Sequence, residues 1–234
     1  IHGMGEHRKS DPLDSSALTF ARRLRDGVQR HLPASVAPAD LAWREVFWSD
    51  QIQSRQDRLI AAMAQSTRPS VSVGMARSFI INSLGDAACY QFSAEPSSVY
   101  RLVHQRIGRV LDELAADTGG QAPLLVFAHS LGGHMMSNCI WDTTGPQSPV
   151  PPGFGRFGSL AGIATFGCNI PVFASVLERI VPIRARDFAD PRTLLPTWWR
   201  NFFARADPLS YPLRVMAGAM PNWAPRGRAA RPRN

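Results

Sequence analysis

The sequence lacks an apolar run long enough to cross a membrane. A transmembrane helix needs about 20 consecutive apolar residues, and every apolar stretch here is interrupted well before that length. The opening residues also lack the basic and then apolar segments that are typical of a secretory signal peptide. We therefore expect a protein without a membrane span.

Cysteine is scarce as well. Cys89, Cys139 and Cys168 are odd in number, widely spaced and set among apolar neighbours. Such a pattern predicts small buried side chains and does not indicate a disulfide framework. We therefore expect a reducing compartment and a cytoplasmic location.

Lysine is almost absent, because Lys9 is the only lysine among 26 basic residues. The net charge is +8, and four arginines without neighbouring acids lie at the end of the chain: Arg226, Arg228, Arg231 and Arg233. The other arginines are scattered over predicted helix faces and do not cluster with aromatic residues as in a nucleic-acid-binding module. A phosphate-binding loop and a dinucleotide fingerprint are also missing. The sequence therefore predicts no nucleic-acid partner and no cofactor.

Helical and strand patterns alternate through the chain. In "EPSSVYRLVHQRIGRVLDELAADTGG", Ser97 or Ser98 caps a predicted helix and Gly119 ends it. The apolar run "APLLVFAHS" that follows is typical of a parallel strand buried on both faces. "SLAGIATFGCNI" and "TWWRNFFAR" are two further predicted strands. This order predicts an α/β fold with a mostly parallel sheet flanked by helices.

The remaining patterns predict further elements around this sheet. A helix is expected from a cap at Ser15 or Ser16 to a stop at Pro33, then a short strand in "LAWREVFWSD" and a buried helix in "ARSFIINSLGDAACYQF". "IHGMGEH" has the pattern of a strand end that enters a glycine loop. We expect one domain over residues 1–214 and an irregular Arg/Pro-rich tail over 215–234.

The stretch "LLVFAHSLGGHMM" places Ser130 between an apolar strand and a helix that begins with small residues. A strand that turns at once into a helix exposes a hydroxyl at the carboxyl edge of a sheet. Ala128 and Gly132, two residues to either side, are small enough to avoid a collision in such a turn. The helix start supplies free N–H groups for an oxyanion. The alternative is a serine that simply caps the helix.

Three segments in this order, "HGMG", "AHSLGG" and an aspartate after a late strand, resemble the lipase and esterase branch of the α/β-hydrolase superfamily. The resemblance covers nearly the whole chain, although Ala128 stands where the family usually has glycine. It implies an α/β-hydrolase fold, incomplete at both ends, and a serine hydrolase that cleaves a carboxylic ester of a small-molecule, acyl or lipid-like substrate. It also implies an oxyanion hole formed by the backbone N–H groups of Met4 and Leu131.

The resemblance further implies an acid and then a histidine after the nucleophile. Asp207 follows the predicted strand in "NFFARADPLSYPL", and we expect it to be the acid; the alternative is an ordinary Asp-Pro turn. Asp142, Asp187 and Asp190 are poorer candidates because of their positions. No histidine follows Asp207, so we expect the base to lie beyond residue 234 and the chain to be an impaired fragment.

Several residues are expected to support the site. His2 and Gly3 resemble the structural pair of the family's oxyanion loop, and Gly132 keeps the elbow narrow. His129 adjoins Ser130 on a strand, so its side chain should point to the opposite face. His134, four residues after Ser130, can reach back over the helix start. We expect a supporting role for both histidines.

The sequence also permits other interpretations of the site. A thioesterase or an acyltransferase uses the same acyl-enzyme, and a non-catalytic binding protein can share the fold. "HGMGEH" lacks the spacing of a metal site, so no metal is expected. Asp86 is interpreted as a surface or capping residue, and the aromatic residues of "TWWRNFFAR" are interpreted as core. The oligomeric state is not predicted.

Overall fold

The computed structural model describes residues 1–4, 9–64, 85–175, 177 and 180–214. The chain divides into two compact units, Ile1–Gly119 and Gly120–Asn234. The predicted tail at 215–234 and the first part of the predicted helix "ARSFIINSLGDAACYQF" lie outside the described residues.

The described part of the first unit is helical. Its elements are α1 (Arg22–Arg30), a 3-10 helix at Pro38–Asp40, α2 (Asp50–Ala64), a helical stretch at 85–89 and α3 (Val99–Thr118). Helix α3 has the predicted ends: the Ser98 side chain accepts a hydrogen bond from the Arg101 amide, and Gly119 adopts the left-handed conformation with φ of 67°. Its buried residues are Val99, Tyr100, Val103, Ile107, Val110 and Leu111.

Helix α1 begins later than predicted, and the expected cap at Ser15 or Ser16 is wrong. The N-cap position is Ala21, whose own side chain cannot cap. Instead the Glu45 carboxylate accepts hydrogen bonds from the Thr19 amide at 2.8 Å, the Thr19 hydroxyl at 2.6 Å and the Ala21 amide at 3.1 Å. Because the acceptor is distant in sequence, local spacing could not locate this helix start.

The only lysine of the chain is buried beside the same carboxylate. Lys9 Nζ lies 3.6 Å from Glu45 Oε1, and the two side chains are 1% and 0% exposed. A buried charge is stable only when a partner of opposite sign accompanies it. Lys9 therefore compensates the charge of the residue that organises the start of α1.

The predicted strand in "LAWREVFWSD" is also wrong, because residues 41–48 contain no strand. The segment is nevertheless buried, and its burial is continuous and not alternating, since Val46, Phe47 and Trp48 are all buried. The backbone, however, bonds to single groups and not to a second strand: the Glu45 amide donates to Ser15 O, and the Trp48 amide donates to His2 Nε2. An alternating pattern in the sequence therefore does not ensure a strand, which requires a neighbouring strand to pair with.

The second unit has an α/β arrangement. Within its described part, β1 (Leu124–His129), β2 (Leu160–Phe166) and β3 (Trp199–Phe202) form a parallel sheet in the order β1-β2-β3. Between and after the strands lie α4 (Leu131–Thr144), α5 (Ile170–Ala174) and 3-10 helices at Phe154–Arg156 and Ala185–Asp187. The three predicted strands and their parallel pairing are confirmed.

One face of β1 is open, contrary to the prediction that both faces are buried. Leu124, Val126 and Ala128 are buried, whereas Leu125 and His129 on the other face are exposed. A ladder of stacked rings continues the open face across the sheet: Phe127, Phe166 and Phe202. An apolar run alone therefore could not show which strand face has a covering layer.

Two other burial expectations are wrong in part. Phe202 and Phe203 are exposed, although an aromatic run in a strand was expected to be core. Cys89 is exposed, whereas Cys139 and Cys168 are buried as expected, and all three are free thiols. Both deviations occur at element ends, where the chain leaves the packed interior.

Helix α4 packs closely on the end of β2. A Cβ atom on Gly133 would lie 3.1 Å from Cys168 Sγ and 3.4 Å from Thr165 Cγ2. The absent side chain at Gly133 lets the helix that follows Ser130 lie directly on Thr165. None of the helices in the described part of the chain has the length and apolar character that a membrane crossing requires.

A glycine within α3 and the glycine that caps its end provide a paired stability test. Gly108→Ala should raise the free energy of unfolding by about 0.5 to 1 kcal/mol, because alanine is the better helix former and nothing lies within 4 Å of the new Cβ. Gly119→Ala should lower it by about 1 kcal/mol, because its φ of +67° disfavours any residue with a Cβ. Urea denaturation of both variants measures the two changes. Equal effects would contradict the assigned helix end.

Candidate active site

Ser130 lies between β1 and α4 in a backbone conformation that L-residues rarely adopt. Its φ is 51° and its ψ is −124°. Among non-glycine residues in the described ranges, only Ser130 and Phe157 have a positive φ. The Ser130 amide donates to Phe166 O at 2.8 Å, and the Gly133 amide donates to Ser130 O at 2.9 Å. These bonds hold a sharp turn between the end of β1 and the first turn of α4.

The Ser130 side chain does not stabilise the helix that it precedes. Ser130 occupies the N-cap position of α4 but makes no side-chain capping hydrogen bond. A capping serine would be expected to accept a bond from an amide two or three residues later. The capping interpretation therefore lacks the interaction that defines it. The hydroxyl remains at the carboxyl edge of the sheet in a residue that is 7% exposed.

The start of α4 is suited to an anion. The amides of Leu131 and Gly132 have no acceptor four residues earlier within α4, as in any first helical turn. No acidic residue occurs in that turn, so no side chain neutralises the positive end of the helix dipole. Leu131 itself is fully buried, which fixes its backbone.

Asp207 lies in the segment after β3 that we call the Asp207 loop (residues 204–211), in which residues 204–209 are exposed. Its Oδ1 accepts a hydrogen bond from the Leu209 amide at 2.9 Å, and its backbone N–H donates to Ala204 O. The turn interpretation of Asp207 is thus correct for one carboxylate oxygen. The other oxygen, Oδ2, makes no hydrogen bond within the described part of the chain. A Cβ atom added to Gly167 would lie 3.7 Å from it.

The structure brings His129 near Asp207, which the sequence pattern did not predict. A Cβ atom added to Gly167 would lie 3.4 Å from His129 Nε2 and 3.7 Å from Asp207 Oδ2, so the two side chains lie on the same side of Gly167. Partial desolvation lowers the pKa of His129, and the Asp207 charge opposes that change. The signal was available in the register, since His129 pairs with Phe166, the residue before Gly167.

His134 has a packing role between α4 and α5. Its ring stacks on Phe173 with centroids 4.3 Å apart and planes 12° apart, and its Nε2 lies 3.3 Å from Asn138 Nδ2. Burial lowers the pKa of His134 to about 4. A general base works best when its pKa is near the operating pH, so this neutral, packed ring is a poor base.

His2 is a structural residue of the first unit. It is 2% exposed, its Nδ1 donates to Gly3 O at 2.8 Å, and its Nε2 accepts from the Trp48 amide at 3.2 Å. Its ring also stacks on Trp48, whose indole N–H donates to His2 O. These bonds fix one neutral tautomer. The segment that carries Met4 is therefore anchored through His2.

Met4 and Ser130 belong to different units of the chain. Met4 is half-buried in the first unit, and the pairing of its amide with that of Leu131 in one oxyanion hole stays a prediction. His7 lies outside the described residues.

Asp86 is a core residue, so its interpretation as a surface or capping residue is wrong. It is 1% exposed, and Gln56 Nε2 donates to Asp86 Oδ1 at 2.8 Å. Within the described ranges, no group of three His, Cys, Asp or Glu side chains is arranged to hold a metal ion.

A surface cleft in the first unit contains none of the residues that are candidates for the Ser130 site. It is lined in part by Arg44, Asp117, Arg109 and Glu113. These side chains form two ion pairs, Arg44 with Asp117 and Arg109 with Glu113. The charges of these four side chains are therefore compensated within the cleft.

The lowered pKa of His134 predicts how the free energy of unfolding depends on pH. The unfolded chain takes up a proton on this residue near pH 6.5, whereas the folded protein resists protonation down to about pH 4. Because the unfolded chain binds this proton first, the free energy of unfolding is unaffected by protonation of His134 above about pH 6.5. It falls as the pH decreases towards 4, by an amount on the order of 2 to 3 kcal/mol.

His134→Phe keeps an aromatic ring against Phe173 but cannot titrate. We expect the free energy of unfolding of this variant to fall less steeply between pH 6.5 and 4 than that of the unsubstituted protein. Urea denaturation at a series of pH values measures both slopes, and His134→Gln repeats the test without the ring. Equal slopes in all three proteins would show that His134 is not held neutral.

Comparison of the chain with protein-family models, with curated proteins and with solved structures finds no match.

Proposed function

We propose that the protein is a serine hydrolase that cleaves a carboxylic ester through an acyl-enzyme on Ser130. The observation that carries this proposal is the backbone of Ser130, with φ of 51° and ψ of −124° at a strand-helix junction. Such strain costs about 1 to 3 kcal/mol and is concentrated at functional sites. Because the Ser130 hydroxyl makes no cap, helix capping does not explain the conformation.

In this mechanism, Ser130 Oγ attacks the acyl carbonyl and loses its proton to a base. The carbonyl oxygen becomes an oxyanion, which the backbone amide of Leu131 stabilises; the Met4 amide is the second donor only as a prediction from the sequence. One such donor contributes on the order of 3 to 4 kcal/mol to transition-state stabilisation. The tetrahedral intermediate collapses as the alcohol leaves with the proton, and water releases the acid in the reverse sequence.

Asp207 is the proposed acid that orients the base. Its Oδ1 is engaged in the turn to Leu209, so Oδ2 is the oxygen that would accept a bond from a histidine. His134 is packed on Phe173, and none of the six histidines follows Asp207 in the chain. No histidine in the described part of the chain is assigned as the base, and we propose that the parallel sheet is part of an α/β-hydrolase fold.

A non-catalytic binding protein of the same fold is the second candidate, because the described residues place no base beside Ser130. Labelling of the full-length protein with a fluorophosphonate separates the two, since the reagent reacts only with an activated serine. Thioester and oxygen-ester substrates, with water or an added alcohol as acceptor, then distinguish an esterase from a thioesterase or an acyltransferase.

Ser130→Ala should abolish fluorophosphonate labelling and lower kcat by several orders of magnitude, because the covalent step is lost. The matched control is Ser137→Ala on the same helix, whose hydroxyl donates to His134 O and should not affect labelling. Mass spectrometry of the labelled peptide and ester hydrolysis are the measurements. Labelling that survives in Ser130→Ala would exclude Ser130 as the nucleophile.

Asp207→Asn should lower kcat by about 10³-fold or more, because the neutral amide neither orients nor stabilises a protonated histidine. Asp187→Asn is the control, since Asp187 is exposed in a 3-10 helix and should retain full activity. Steady-state hydrolysis by both variants of the full-length protein makes the comparison. If the two variants were equally active, Asp207 would have only its turn role.

A further inference from the structure

We propose that Thr165 and Asn201 form a positioning pair that holds the Asp207 loop in register with the Ser130 turn. The two residues are direct partners in the parallel pairing of β2 with β3. Their function as positioning residues rests on the proposed hydrolase, whereas their effect on the loop can be measured without it.

A continuous chain of hydrogen bonds runs through this pair. Trp199 Nε1 donates to Thr165 Oγ1 at 3.2 Å, and Thr165 Oγ1 donates to Asn201 Oδ1 at 2.8 Å. Asn201 Nδ2 then donates to Tyr211 O at 2.9 Å. Because the indole N–H can only donate, the Thr165 hydroxyl directs its own proton to Asn201. The amide orientation of Asn201 is thereby fixed, with its nitrogen towards the Asp207 loop.

Tyr211 is held from both sides. Its C=O accepts from Asn201 on β3, and its N–H donates to Cys168 O just after β2, at 2.9 Å. Tyr211 is the last residue of the Asp207 loop, and the loop begins two residues after β3. Both ends of the loop are therefore attached to the sheet, and the Asn201 side chain is one of the attachments.

Internal bonds transmit this attachment to Asp207. The Asp207 amide donates to Ala204 O, the Ser210 amide donates to Asp207 O, and the Ala204 amide donates to Ser210 Oγ. A loop closed by such bonds moves as one body. A shift of Tyr211 would therefore shift the Asp207 carboxylate.

The same residue of β2 contacts the helix that carries the Ser130 turn. A Cβ on Gly133 would lie 3.4 Å from Thr165 Cγ2, and the Ser130 amide bonds to the carbonyl of the adjacent Phe166. Thr165 is 0% exposed, so neither neighbour can move independently of it. The Thr165 methyl group thus faces α4, and its hydroxyl bonds to Asn201, which in turn bonds to the Asp207 loop.

This arrangement predicts a loss of rate without a loss of substrate binding. A displacement of about 1 Å between catalytic groups can cost about 100-fold in rate. In the full-length protein, Thr165→Val keeps the side-chain shape but removes the hydroxyl, so kcat should fall about 10- to 100-fold while KM changes less than about twofold. Thr165→Ser keeps the hydroxyl and should restore most of kcat.

Amide hydrogen exchange in the Asp207 loop is the second readout. Exchange at Leu209 and Ser210 should accelerate about tenfold in Thr165→Val and remain near the original rate in Thr165→Ser. The matched control is Thr144→Val, which removes a hydroxyl that donates to Ile140 O within α4 and should change neither kcat nor loop exchange. Asn201→Asp tests the same link if Thr165→Val fails to fold, since it removes the donor to Tyr211 O.

The outcomes separate the two proposals. Unchanged exchange and unchanged kcat in Thr165→Val and Asn201→Asp would overturn the positioning pair and leave the hydrolase intact. Faster exchange with unchanged kcat would overturn the catalytic consequence. A protein that neither labels at Ser130 nor hydrolyses esters would overturn the proposed function, and loop exchange would still decide whether the pair holds the loop.

Discussion

The positive φ of Ser130 is the constraint on which the arrangement of the second unit depends. A residue with a Cβ resists this conformation by about 1 to 3 kcal/mol, so it persists only where the surroundings impose it. The end of β1 is fixed to β2 by the bond from the Ser130 amide to Phe166 O. The first turn of α4 lies so close to β2 that a Cβ added to Gly133 would lie 3.4 Å from Thr165 Cγ2. Ser130 is the one residue between the end of β1 and the start of α4 in which the chain reverses its direction.

Strand β2 therefore contacts each part of the candidate site that lies in the second unit. Its last residues bond to the Ser130 turn, support α4 and pair with β3, and the segment just after it bonds to Tyr211. This central position explains why Thr165 is fully buried although it carries a hydroxyl. A buried hydroxyl is costly unless both its donor and its acceptor functions are used, and in Thr165 both are used.

The parts of the structure that follow from local pattern were predictable, and the parts that depend on distant partners were not. The three strands of the sheet, the capped helix α3 and the turn at Ser130 each have a signal within a few residues. The start of α1 depends on Glu45, more than 20 residues away, and the open face of β1 depends on what packs against it. For the site, Ser130 and Asp207 could be named from sequence, whereas the approach of His129 to Asp207 required the strand register. Small residues such as Gly133 and Gly167 gave no indication of which side chains approach them.

A carboxylate and an imidazole lie on the same side of Gly167 at the sheet edge. The φ of 56° turns the chain after β2 in a conformation that favours glycine, and a Cβ placed there would lie 3.4 Å from His129 Nε2 and 3.7 Å from Asp207 Oδ2. The Asp207 charge acts to raise the pKa of His129, while desolvation lowers it more strongly. His129 therefore does not neutralise Asp207 by gaining a proton more readily than usual. Asp207 Oδ2 makes no hydrogen bond within the described part of the chain, so it is available to the histidine that the proposed mechanism requires.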